Sequence, residues 1–173
     1  MSKLPKWFER VFSGGLDVAL FPNLCARLEG TPARVEELLA RVPDEVARER
    51  FEGEWSIVEN AGHLTDLEPL WLGRVDDLLA GTDELRPADL TNATTHAADH
   101  NAQSNEAIGR AFRTARSQLM TRLEALSDTE LARSAKHPRL GTPMGFMELC
   151  AFVAEHDDQH IARMREIERA ATS

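Results

Sequence analysis

Four stretches of the chain repeat apolar residues every three or four positions, and none alternates them in the manner of a strand bounded by turn signals. That period calls for helices with one apolar face each, and such faces can be hidden only against one another. The expected fold is all-α: a four-helix bundle with long connections between helices 2 and 3 and between helices 3 and 4. In the first stretch Leu24, Leu28, Val35, Leu38 and Val42 keep the spacing, but Gly30-Thr31-Pro32 interrupts it, so a kink or a fresh start is expected there. The second opens at Trp55-Ser56-Ile57-Val58-Glu59, where Ser56 and Glu59 form a capping box. Its stripe is Ile57, Ala61, Leu64, Leu67, Trp71, Val75 and Leu78, stopping at Ala80-Gly81. Ile108, Phe112, Ala115, Leu119, Leu123 and Leu126 mark the third. Thr142 and Pro143 supply cap and first-turn signals for the last, whose stripe is Phe146, Leu149, Val153, His156, His160, Met164 and Ile167.

Two histidines therefore occupy core-facing positions where Leu or Val would be expected. Side chains at i and i+4 of a helix are neighbours, about 5–6 Å apart at Cβ, so His156 and His160 can reach one ion. HxxxH alone is a weak signal, since a surface helix shows it by chance. Burying two imidazoles without partners, however, would cost several kcal/mol, and a bound cation would satisfy them. His63, beside the second stripe, is the natural third ligand, because bundle sites are built from facing helices. His96 and His100 form a rival pair in the long polar connection, with a geometry the sequence leaves open. His137, followed by Pro138, reads as a loop residue. Asp157 after His156 is not the Glu of the metalloprotease motif, and no Glu-x-x-His pair of a di-iron site is present.

With 173 residues the chain is read as a single domain, 1–173, with segment 1–20 a packing arm in which Trp7, Phe8 and Phe12 form a flap. The 29 acidic residues outnumber the 20 basic ones, for a net charge of -9. Such a field repels phosphate backbones and anionic headgroups, which argues against nucleic acid and membrane partners. Neither a signal peptide nor a membrane span is recognisable, so the cytoplasm is the expected location. Cys25 and Cys150 fit two buried thiols better than a disulfide framework.

W-S-I-V-E-N-A-G-H-L at 55–64 together with F-V-A-E-H-D-D-Q-H at 152–160 resembles the DinB-like (damage-inducible) superfamily of four-helix metal-binding proteins. The resemblance runs from about Trp7 to Ile167 and is weakest in the two loops. It implies His63, His156 and His160 as ligands of a divalent metal, with water in the remaining positions; zinc, nickel, iron and manganese all suit imidazole. It also implies relatives that act as thiol S-transferases or isomerases with bacillithiol, mycothiol or glutathione, although many members have no assigned reaction. Three protein ligands with an open position are the arrangement of a catalytic site, where an incoming thiol would lose its proton. The family name records induction by DNA damage, hence a stress response, and not contact with DNA.

The expected function is thus a metal-dependent transferase or isomerase using a low-molecular-weight thiol on a small molecule. The alternatives are a metal-dependent hydrolase and a non-catalytic stress or ligand-binding protein. Around the site, His100, Arg116 and Glu59 are the candidates for lining a pocket, although capping explains Glu59 and an ion pair would explain Arg116. Asp66, Glu68, Asp157 and Gln159 are candidates for orienting the ligands. Apolar helix faces and exposed aromatics, with the relatives, suggest a homodimer.

Overall fold

The structure, a computed structural model, describes residues 4–51 and 53–171, so the first three residues of the expected arm lie outside the described residues. Four long helices carry the apolar stripes: α1 (Phe21–Arg41), α3 (Ile57–Ala80), α5 (Asn105–Glu124) and α7 (Phe146–Ala171). Between them lie the short helices α2 (Asp44–Arg48), α4 (Ala93–Ala97) and α6 (Asp128–Leu131), and a hairpin of β1 (Ser134–Lys136) and β2 (Pro143–Gly145). Both α1 and α3 pack against α5 and α7, which sets α1 and α3 across the diagonal of the bundle. Among the described residues no helix is long and apolar enough to cross a membrane.

The ends of α3 follow from its sequence. Ser56 Oγ accepts from the Glu59 N–H at 3.1 Å and Glu59 Oε2 accepts from the Ser56 N–H at 2.9 Å, satisfying donors that the first turn leaves free. At the other end Gly81 adopts φ 69°, a left-handed conformation that glycine takes without a Cβ clash.

One of the two alternatives at Gly30-Thr31-Pro32 is excluded, and the cap expected at Thr142 fails. No fresh start falls at Gly30-Thr31-Pro32: α1 runs through Pro32 unbroken. Proline has no N–H for the Leu28 carbonyl, but Arg116 Nη1 donates to that oxygen at 3.1 Å, and Thr31 Oγ1 donates back to Arg27 O rather than capping. Thr142 and Pro143 do not open the last helix either. Pro143–Gly145 pairs antiparallel with Ser134–Lys136, placing Ala135 and Met144 opposite each other and in the core. The gain from burying that pair overrides the cap signal, and α7 starts at Phe146.

Cys25 and Cys150 are free thiols, half-buried and buried respectively. The core has two apolar halves. One gathers around Leu28, Trp71, Leu119 and Val153, the other around Val35, Leu64, Phe112 and Ile161. On each long helix a polar residue falls between them, namely Thr31, Glu68, Arg116 and Asp157, all buried.

Candidate metal centre

His63 projects from the second turn of α3, and His156 and His160 from successive turns of α7, where their spacing of four puts them on one face. One ligand atom from each lies within 4.8 Å of the other two. Ring centroids are 5.4 Å apart for His63 and His156, 4.8 Å for His63 and His160, and 4.6 Å for His156 and His160.

Hydrogen bonds fix two of the rings. The Asn60 amide nitrogen donates to Trp55 O and Ser56 O at 3.1 and 2.8 Å, so its oxygen, 2.9 Å from His160 Nδ1, must accept there. His160 Nδ1 therefore carries the proton and Nε2 a lone pair. At His63, Thr95 Oγ1 donates to Asp66 Oδ2 at 2.8 Å and so accepts from His63 Nδ1–H at 2.9 Å. His156 Nδ1 is buried without a partner, a condition that costs about 1–3 kcal/mol unless a cation or proton donor meets the ring.

Burial drives all three imidazoles toward the neutral, ligating form. It pushes His63 down to about 4 and His160 to about 3, and it holds His156 well below its ordinary value, with the neighbouring histidines adding to the effect. No proton then needs displacing by an ion at neutral pH. The residues present fit a divalent metal: three neutral nitrogen donors, two with fixed tautomers and the third an unpartnered buried ring.

The triad faces a cavity of about 730 Å³. Aromatic rings wall it: Trp55 lies 4.7 Å from His63, Trp71 5.7 Å from His156, and Trp7 of the N-terminal arm 5.1 Å from His156. Trp7 and Phe12 also pack on Phe152, and Gln159 Nε2 donates to Pro5 O at 2.8 Å, so part of the arm is seated over the site. Phe8, expected in the same flap, is 63% exposed.

None of the three expected pocket-lining residues lines this cavity. Glu59 is held by Ser56 and Arg50, whose guanidinium pulls its carboxyl down to about 2. Arg116 is sealed in the core with Glu68 and Asp157. His100 sits behind the site: its Nε2 lies 2.8 Å from Asp66 Oδ2, and its ring packs so closely on α3 that a Cβ at Gly62 would run into it. Against the burial that would raise it, hydrogen bonds from His100 and Thr95 keep the Asp66 carboxyl below its usual range. Asp66 thus holds His63 through Thr95, whereas Glu68 and Asp157 orient no ligand and pair with Arg116. His96 is exposed, its ring 5.7 Å from Trp55.

Sequence reasoning passed over Asn60 and Thr95. Asn60 lies on the helical face of His63, a readable signal; Thr95 sits in an irregular connection whose path no periodicity reports. His137, read as a plain loop residue, is 2% exposed and lines the cavity, as do Arg74 and Arg139.

The family model of the DinB superfamily matches residues 27–164. In structure the chain is similar to YfiT from Bacillus subtilis, described as a probable metal-dependent hydrolase with an unusual four-helix bundle topology. The TM-score is 0.81 at 18% identity, over 95% of this chain and 94% of that one. No curated protein matches the sequence.

Proposed function

The chain belongs to the DinB superfamily, and from that premise we propose that it binds a divalent metal through His63, His156 and His160 and catalyses thiol-dependent transfer or isomerisation of a small molecule. The observation that carries the reading is the convergence of three neutral imidazoles within 4.8 Å at the wall of a large cavity. A zinc, nickel, iron or manganese ion held there supplies a positive centre beside which a thiol or a water gives up its proton at neutral pH.

The chain's own groups do the rest. Thr95 and Asn60 hold the Nδ1 protons of His63 and His160, so both Nε2 lone pairs stay aimed at the common point. Trp7, Trp55 and Trp71 displace water from around the rings, which strengthens any charge interaction inside the cavity. The remaining open side accepts a small molecule. A net charge of -9 keeps nucleic acid outside the reading, and a homodimer is retained as an expectation of the same proposal.

The description of YfiT as a probable metal-dependent hydrolase supports a second reading, in which water is the nucleophile. Elemental analysis of protein purified without an affinity-column metal tests the centre: stoichiometric metal is expected in the wild type and not in His63→Ala or His160→Ala. Cobalt-substituted protein then separates the two chemistries. A low-molecular-weight thiol is expected to change its visible spectrum, and an unchanged spectrum with thiol-independent turnover favours the hydrolase.

A further inference from the structure

The cavity has a second polar end that the triad does not explain. On α3 Arg74 follows His63 by three helical turns, on the same face and ~16 Å along the axis. It is 1% exposed, lies over the Trp71 ring at 5.5 Å, and donates Nε to Arg86 O at 3.2 Å. Among the described residues no carboxylate forms an ion pair with it: Asp77, the acidic group acting on it, has both oxygens engaged by Arg86.

Arg139, in the hairpin loop, has the same deficit. Its guanidinium stands over Phe8 at 5.3 Å, its Nη2 is buried without an acceptor, and no ion pair holds it among the described residues. Beside it, His137 Nδ1 accepts from the backbone N–H groups of Arg139 and Leu140 at 3.1 and 3.2 Å. A neutral ring must then carry its proton on Nε2, and that donor is also buried and unpartnered. Two buried donors, Arg139 Nη2 and His137 Nε2, thus line one cavity without an acceptor, and Arg74, which lines it with them, has a backbone carbonyl on Nε but no ion pair among the described residues. Elsewhere the half-buried arginines Arg10, Arg27 and Arg34 are each paired with a carboxylate. An acidic chain that leaves these two cations unpaired has kept the place of an anion free.

We propose that Arg74, Arg139 and His137 form a carboxylate-binding subsite, and that the cavity takes an organic acid whose carboxylate lies there while its other end points toward the three histidines. The second half rests on the metal-centre reading; the first does not. A carboxylate matches the planar guanidinium fork and can accept from two donors at once. Trp71, within 5.5 Å of Arg74 and 5.7 Å of His156, joins the two ends by an apolar surface, as Phe152 does from 5.3 Å beside His137. The middle of the ligand is therefore apolar. Burial and then the two arginines hold His137 down to about 4, and burial with its cationic neighbours outweighs Asp77 and brings Arg74 to about 10; a bound anion relieves both. The acidic groups at the mouth, Glu54 and Asp89, are exposed, and Asp89 is occupied by Thr91 and the Ala93 N–H.

The test is calorimetry of the metal-free protein with 5-phenylpentanoate and its neutral amide. The acid is expected to bind at least about tenfold more tightly, the effect of one hydrogen bond to a charged group. Arg139→Gln, a loop variant with little risk to folding, and Arg74→Gln, checked by circular dichroism, are expected to bring the ratio close to one. Both should keep full metal content. His63→Ala is expected to lose the metal and keep the preference for the acid, so failure of the metal centre and failure of this subsite read out separately. Equal affinities for acid and amide, no measurable binding of the acid, or a preference unchanged in Arg139→Gln overturns the proposal.

Discussion

Asp157 and His156 are neighbours on α7, yet they belong to buried polar clusters completed in different ways. Asp157 faces the bundle axis, where Arg116 Nη1 and Nη2 reach its two oxygens at 2.8 and 3.2 Å and Glu68 Oε1 at 2.6 Å, and Nη1 also serves Leu28 O. One guanidinium thereby ties α1, α3, α5 and α7 together at the layer between the two apolar halves. His156 turns toward the cavity, where three rings each keep a nitrogen without a protein partner aimed at the same region. The lesson is that burial alone does not mark function. A polar cluster whose charges are matched across the bundle is part of the architecture, even with Glu68 Oε2 left unpartnered, and one whose lone pairs converge on a cavity is shaped for something outside the chain.

The harshest way to break that contrast is Arg116→Met. Two carboxylates and the Leu28 carbonyl would lose their shared donor in the core, and breaking a buried ion pair from one side costs about 3–5 kcal/mol. The urea midpoint should fall accordingly, while any folded fraction keeps its metal. If the unfolding free energy fell by less than about 1 kcal/mol, the matched cluster would not be holding the helices. The open cluster should respond in reverse: His160→Leu in metal-free protein should leave the midpoint nearly unchanged but abolish metal uptake.

Adding the ion comes next in size. Zinc at 100 times its dissociation constant should stabilise the wild type by about 2.7 kcal/mol and leave His160→Leu unmoved, read as a shift in thermal midpoint. Thr95→Val and Asn60→Leu should then weaken zinc about 10–100-fold with smaller changes in apo stability, because they release the Nδ1 protons of His63 and His160 without removing a ligand. Competition with a chromophoric chelator measures this. Unchanged affinities would mean that packing against Trp55, not hydrogen bonding, orients the rings.

How much of this was legible follows from what each feature depends on. The limits of α3 lay in Ser56, Glu59 and Gly81 because caps are local chemistry, and the HxxxH spacing is a property of any helix. The unbroken course of α1 past Pro32 was not legible, because the donor that rescues Leu28 O comes from α5. The hairpin at Ser134–Lys136 and Pro143–Gly145 escaped because three-residue strands have too little period to read. Arg116, close to the apolar face of its helix, left open a pocket role or an ion pair, and the structure has the ion pair. Its partners, Glu68 and Asp157, are distant in sequence, so nothing local announced that its charge was already matched.

Acidity should move the two clusters in opposite directions, which makes the net effect of pH on the metal-free protein the smallest of these and the most informative. Burial holds His63 down to about 4, so between about 6.5 and 4 the unfolded chain binds more protons there than the folded one, and stability drains away as pH falls through that window. His160 and His156, depressed by the same burial, act alike. Glu68 is raised to about 7 by burial against the pull of Arg116, so between about 7 and 4.5 the folded chain holds the extra proton, and stability rises as pH falls. Wild-type midpoints at pH 7 and pH 5 should therefore differ modestly. Burial raises Asp157 as well, so Glu68→Gln removes one of two opposing contributions, and its loss of stability over the same interval should still exceed that of the wild type. Equal slopes in the two proteins would mean that Glu68 stays ionised beside Arg116 throughout, and that the matched cluster carries a buried negative charge even at pH 5.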